Sequence, residues 1–317
     1  MSDTSPHPVE LEAPDIRPYQ QGNTGIDYLH CLDGEEPGPH VMLSAVVHGN
    51  ELCGAIVLDE LLREGIRPRR GRLSLGFMNV AAYQRFDPRR PEASRFVDED
   101  FNRVWDLTTL EGRRDSVELR RAREVWPWID TVDSLLDIHS MQNRTPPLML
   151  CGPTLKGRQL AQRVGFPAYT VADQGHAAGR RLRDYGDFGE PESPRNALLV
   201  ECGQHWERTS ATVARQTTLR FLWETGIMDE AWFAGRLSAP PPPPRVIEIT
   251  EAVTVVSRAF RFAEAFRGME VIPRAGTPLA RDGEREILTP YDDCVLIMPS
   301  RRLQPGQTAV RLGRFID

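Results

Sequence analysis

His48-Gly49-Asn50-Glu51 stands where an apolar run (VMLSAVV, residues 41–47) stops and a helix-like run (ELCGAIVLDELL) begins. A histidine and a glutamate three residues apart, at a strand-to-helix corner, can turn one imidazole and one carboxylate toward the same point. A third residue of ligand type, His139, closes the apolar run SLLDIHS. Two histidines and one glutamate form the open three-ligand shell that catalytic zinc prefers, with the fourth position left to water. Asp137 precedes His139 by two residues, so strand alternation puts both on one face. It could fix an imidazole tautomer by accepting its N–H, or be a plain structural carboxylate. Spacing alone leaves His48 and His139 open between metal ligands and ordinary hydrogen-bonded strand ends.

Water activated by a metal needs a base, and Glu201 is the natural candidate. It ends the apolar strand NALLVEC and precedes Gly203. An acid at the end of an apolar strand is costly unless it is paired or faces a cleft. Partial burial there would poise it to take a proton from water and return it to a leaving amine; a structural salt bridge is the plainer alternative. The loop Arg95-Phe96-Val97-Asp98-Glu99-Asp100-Phe101-Asn102-Arg103 concentrates two arginines and an asparagine. A guanidinium suits a carboxylate or a developing oxyanion. Composition alone favours a solvated loop whose arginines pair with Asp98, Glu99 and Asp100. His7, His30 and His40 fall in tail or turn segments, His176 in a Gly-rich stretch, and His205 is a reserve candidate beside NALLVEC.

These residues need a frame. Apolar runs at 41–47, 73–80, 134–139, 167–172 and 196–202 read as strands, and Leu52 to Glu64, Ser116 to Trp128, Lys156 to Val164 and Ser210 to Glu224 as helices. Near-continuous apolar strands separated by helices predict an α/β fold, with a mixed, mainly parallel sheet covered by helices. Strand-end positions place His48, His139 and Glu201 in the crevice where such sheets hold ligands. Prolines from Pro240 to Pro244 cannot continue a helix or a central strand. They divide an α/β domain (1–239) from a small C-terminal all-β domain (246–317), whose short β-branched runs are punctuated by Gly and Pro. Residues 1–20 read as loosely ordered, with a hairpin expected over IRPYQQGNTGIDYLHCLDG.

With 317 residues, 40% of them hydrophobic, the chain can bury a large core. A net charge of −6 argues against a nucleic-acid partner. Five scattered cysteines with no C-x-x-C pair argue for reduced thiols. No signal peptide is visible, and no apolar run approaches the ~20 residues that span a bilayer. Together these predict a cytoplasmic protein with no membrane partner; self-association is left open.

In order along the chain, HGNE, SRFVDEDFNRVW, LLDIHS and LLVECG resemble the succinylglutamate desuccinylase/aspartoacylase family, of the wider zinc carboxypeptidase clan. The resemblance runs over about residues 40 to 205, with a proline-linked β domain following as the family implies. It implies one Zn²⁺ per chain on His48, Glu51 and His139, with Glu201 as general base and then general acid. Arg95 would polarise the scissile carbonyl, and Asn102 and Arg103 would hold the substrate carboxylate. The family places a tyrosine of the β domain near the substrate, and Tyr291 is the candidate. A further arginine that reads an aspartate side chain in the family has no counterpart at the same offset among Arg180, Arg181, Arg183 and Arg195.

The combined expectation is a zinc-dependent amidohydrolase acting on an N-acyl amino acid or a related small carboxylated amide. One rival is a zinc carboxypeptidase acting on short peptides; a β domain over the cleft favours the smaller substrate. A non-catalytic zinc-containing binding protein is disfavoured because Glu201 and Arg95 are both present. A dinucleotide-binding protein lacks its G-x-G-x-x-G after any candidate strand.

Overall fold

The computed structural model describes residues 7–175, 178–239, 241–301 and 303–316; His176 and Pro240 lie outside them. Two elements open the chain, β1 (Leu29–Asp33) and β2 (Glu36–Ala45), followed by α1 (Leu52–Arg63), β3 (Arg70–Phe77), α2 (Val80–Tyr83), α3 (Leu107–Glu111) and α4 (Val117–Ile129). Then come β4 (Ser134–Met141), β5 (Leu148–Leu150), α5 (Leu155–Val164), β6 (Tyr169–Ala172), β7 (Asn196–Gln204) and α6 (Arg208–Thr225). A short 3-10 turn (Glu230–Phe233) follows, and from Arg245 on the regular elements of the described residues are strands: β8 (Arg245–Thr254), β9 (Arg261–Phe262), β10 (Glu270–Ile272), β11 (Pro278–Asp282), β12 (Arg285–Leu288), β13 (Cys294–Ile297) and β14 (Thr308–Phe315).

Eleven strands form one mixed sheet in the order β1-β3-β2-β4-β7-β5-β6-β8-β14-β13-β10. Its centre is parallel, β3-β2-β4-β7. Alternation along β4 divides the core: Leu136 and Ile138 pack with residues of α1, α5 and α6, while Leu135 packs with Leu119, Ala122 and Val125 of α4. Burial on both faces explains why the central strands read as continuous apolar runs.

Three expectations need correction. β1 forms no hairpin; it pairs antiparallel with β3, from Leu29 opposite Gly76 to Asp33 opposite Arg72. Residues of the N-terminal segment are packed: Ile16 is buried, Tyr19 stacks on Phe77 at 5.7 Å, and the Glu10 N–H donates to the Trp206 carbonyl. His30 and His40 lie in strands, and His40 is buried between Ser74 and Thr131, its pKa lowered by that burial to about 4. The C-terminal strands also extend the main sheet, because β8 runs parallel to β6, from Tyr169 opposite Arg245 to Ala172 opposite Glu248. β9, β11 and β12 form a separate three-stranded sheet. All five cysteines are free thiols, and among the described residues no helix is long and apolar enough to cross a membrane.

Lys156, the sole lysine, clamps the approach to β7. Its ammonium donates to the carbonyls of Asp187 (2.9 Å), Ser193 (3.0 Å) and Arg195 (2.6 Å). Three charge-assisted bonds to backbone are more than a surface cation ordinarily makes, although water can partly replace them. Lys156→Met is expected to lower unfolding stability by about 1–3 kcal/mol, read by chemical denaturation. An unchanged midpoint would show that the clamp is dispensable.

Candidate active site

The site forms because two strands and one turn end at the same level. His139 of β4 lies in register with Glu201 of the neighbouring β7, and Ala45, the last residue of β2, with Ile138. Beyond β2 the chain reverses through Val46 (φ 62°) into the His48–Glu51 turn. Gly49 is required there by space: a Cβ would stand 2.4 Å from both the Ala82 carbonyl carbon and the Ser94 carbonyl oxygen. Gly54 lets α1 lie against the sheet, since its Cβ would come within 2.8 Å of that of Ala45. Close packing at these two glycines carries Glu51 down between the two histidines.

The three groups converge. One ligand-type atom from each of His48, Glu51 and His139 lies within 4.8 Å of the others, and all three residues are buried. His48 Nδ1 is 2.8 Å from Glu51 Oε1, and His139 Nδ1 is 2.9 Å from Glu51 Oε2. The other ring nitrogens face aspartates: His48 Nε2 to Asp100 at 2.9 Å and His139 Nε2 to Asp137 at 2.8 Å. Asp137 also accepts from the Ser44 hydroxyl. A neutral imidazole has one N–H. If Nε2–H donates to its aspartate, the Nδ1 lone pair faces the Glu51 carboxylate. Two such acceptors around a carboxylate require positive charge between them, a proton or a cation. Burial alone would raise the Glu51 carboxyl, but the two imidazoles hold it well below its ordinary value. Burial would lower His139, whereas Asp137 and Glu51 hold it well above. Two nitrogens, one carboxylate oxygen and backing aspartates suit a borderline cation such as zinc.

Arg95 reaches the same centre, donating from Nη1 to Glu51 and from Nη2 to Asp100, each at 3.3 Å. Glu201 also lines the cavity, and its buried Oε2 has no hydrogen-bond partner. Burial pushes its carboxyl up to about 8; His139 and Arg95 oppose that rise and Glu51 adds to it. Asn102 Oδ1 accepts from the Leu182 N–H at 2.9 Å, leaving Nδ2 as its donor end. Burial lowers Arg103 to about 10. Arg95, Asn102, Arg103 and Glu201 line one cavity of about 160 Å³ with the three clustered residues. The structure does not bring Tyr291 there. Its hydroxyl bonds Thr250 Oγ1 at 2.6 Å, and its ring packs on the C-terminal core. Instead Met298, Pro299, Ser300, Thr308 and Arg311 supply the C-terminal wall.

Four contributors were missed from sequence. Asp100 stands 52 positions from His48, so no local spacing signals its contact. Glu118, fully buried on α4, accepts from the backbone N–H groups of Val97 (2.7 Å), Asp98 (3.0 Å) and Glu99 (3.2 Å), and from Asn79 Nδ2. It thereby fixes the loop that carries Arg95, Asp100, Asn102 and Arg103. Successive amides around one anion form a tight nest. Ser140 donates its N–H to Glu51 Oε2 and shares a hydrogen bond with His205 at 2.8 Å. Arg311 was legible as a charge inside the apolar run TAVRLGRF, by the same argument that marked Glu201. Glu118→Ala is expected to cost about 10²-fold in kcat/KM through loop misplacement, with metal content unchanged. Parent-like turnover in that variant would show the loop to be fixed without Glu118.

A sequence model of the succinylglutamate desuccinylase/aspartoacylase catalytic domain matches residues 37–222. The fold is similar to that of succinylglutamate desuccinylase from Vibrio parahaemolyticus, with a TM-score of 0.69 and 14% identity over 92% of this chain and 87% of that one. It is also similar to a succinylglutamate desuccinylase/aspartoacylase from Rhodobacter sphaeroides (TM-score 0.64, 17% identity, 91% of this chain and 89% of that one). Murine aminoacylase 3 gives a TM-score of 0.59 at 19% identity, over 89% of this chain and 97% of that one.

Proposed function

The chain belongs to the succinylglutamate desuccinylase/aspartoacylase family, and from that premise we propose that it is a zinc-dependent deacylase hydrolysing the amide bond of an N-acyl amino acid. The observation that carries this reading is the convergence of two imidazole Nδ1 atoms on one buried carboxylate, beside a second buried carboxylate with an unpartnered oxygen. His48, Glu51 and His139 would hold the cation. When bound, it supplies a Lewis acid for the carbonyl and lowers the pKa of water toward 7.

The chain's own residues do the rest. Asn102 and Arg103 anchor the substrate carboxylate and so orient the amide. Arg95 donates to the carbonyl oxygen as negative charge develops on it. Glu201 Oε2 accepts the proton of the attacking water, then returns it to the nitrogen of the leaving amine. Asp100 and Asp137 hold the imidazoles with Nδ1 toward Glu51. Met298, Pro299, Ser300, Thr308 and Arg311 wall one side of the cavity, which favours a small substrate over a peptide. The cytoplasm is the compartment this reading takes.

The test is a panel of N-acetyl, N-formyl and N-succinyl amino acids alongside C-terminally free dipeptides. Amine release from acylated amino acids, with dipeptides left intact, is expected. Cleavage of dipeptides alone would move the activity to a carboxypeptidase.

A further inference from the structure

A second cavity adjoins the catalytic one: Asn143, Pro299 and Ser300 line both. Asn143 Nδ2 donates to the Pro299 carbonyl at 3.1 Å, which ties the loop after β4 to the loop before β14. The second cavity holds about 700 Å³, against about 160 Å³ for the first. That volume lies within the ~300–1,000 Å³ of small-molecule sites. None of the residues assigned to metal or catalysis lines it.

Its apolar surface comes from Phe262 of β9, Phe266 of the loop after it and Leu303 of the loop before β14. All three pack against the C-terminal core, and the two rings meet edge to face with centroids 6.1 Å apart. The charges around these rings are unbalanced. Arg144, Arg267 and Arg301 line the cavity with one carboxylate, Glu264. Arg144 pairs outside that set, with Glu207. Among the described residues, Arg267 and Arg301 have no carboxylate partner; Arg301 Nη2 lies 3.4 Å from His7 Nε2. Burial, and then Arg301 and Arg144, hold His7 below its ordinary pKa, so it adds no charge at neutral pH. Even with Glu207 counted, one positive charge is left over here, in a chain whose net charge is −6. Aromatic rings beside unpaired guanidinium groups complement a carboxylate carried on an aromatic body. The ring packs edge to face or offset on phenylalanine, and the planar fork of an arginine grips the carboxylate.

We propose that this cavity binds an arylalkanoate, a carboxylate on a short chain from an aromatic ring, with Arg267 and Arg301 holding the carboxylate and Phe262 and Phe266 the ring. The site stands apart from the deacylase reading, because no residue of the catalytic set takes part in it.

Calorimetry on the full chain with 4-phenylbutyrate tests this. One equivalent should bind. 4-Phenylbutan-1-ol lacks the charge and butyrate the ring, and each should bind at least about tenfold more weakly. Arg267→Gln/Arg301→Gln should weaken 4-phenylbutyrate by roughly 10- to 100-fold. Arg103→Gln, which leaves this cavity intact, should bind as the parent does. Phe266→Leu should weaken binding by a few-fold, and decides the matter if the double variant does not fold. No binding by the parent, undiminished binding in the double variant, or equal binding of the alcohol would overturn the proposal. Loss of binding in Arg103→Gln would also overturn it, by placing the ligand in the catalytic cavity. Removal of residues 1–6, which precede His7, should leave the affinity unchanged. Tighter binding without them would assign the cavity to the chain's own N-terminus instead.

Discussion

Glu201→Gln should lower kcat by roughly 10²- to 10⁴-fold while leaving the metal content unchanged. The amide has nearly the same shape as the acid but cannot accept the proton of the attacking water. The exchange breaks nothing visible, because Oε2 of Glu201 has no hydrogen-bond partner to lose. Stability gives a second reading with a definite sign. Burial raises the folded-state carboxyl to about 8, above its ordinary 4.5. In the metal-free protein the folded state therefore holds a proton that the unfolded chain releases between pH 4.5 and 8, and the parent loses stability as pH rises through that window. Glutamine does not titrate. The metal-free variant should gain on the parent from pH 5 to pH 8, by chemical denaturation. A kcat within a few-fold of the parent would remove Glu201 from the proton transfers; stability curves that stay parallel would place its carboxyl in contact with water.

Glu51→Ala should be the most damaging single change. It removes the carboxylate that both Nδ1 atoms face, and also the acceptor of Arg95 Nη1 and of the Ser140 N–H. Loss of one of three protein ligands should abolish stoichiometric zinc binding and cut kcat/KM by at least about 10³-fold, since the activated water is lost with the metal. The metal-free variant should be destabilised by about 3–5 kcal/mol, because buried positive charge is left uncompensated. Metal analysis and denaturation of the parent and variant, both metal-free, separate the two effects. Full zinc content in Glu51→Ala would take Glu51 out of the ligand set.

The parts legible in sequence were those written locally. His48, Glu51, His139 and Glu201 each end a long apolar run or begin a helix, and the structure gathers them at adjoining strand ends. Period and propensity likewise marked the buried central strands. What was not legible depends on distant pairing. β5 has three residues, too few for any pattern, yet it turns antiparallel to β7 beside Glu201. The joining of β8 to β6 carries no mark in either strand, and it is what brings Arg311 to the cavity. Glu118 resembled any acid in the first turn of a helix until its carboxylate was seen gripping the Arg95 loop. Tyr291 lay in the expected segment, but its hydroxyl is engaged by Thr250, away from the cavity.

The central claim is that a single cation, held by His48, Glu51 and His139, works with Glu201 to cleave an acyl amide. The most direct measurement strips the protein with a chelator, titrates zinc back and follows amine release from an N-acyl amino acid. Turnover should be absent in the stripped protein and rise linearly to a plateau at one zinc per chain. Undiminished turnover by the metal-free protein would contradict the account.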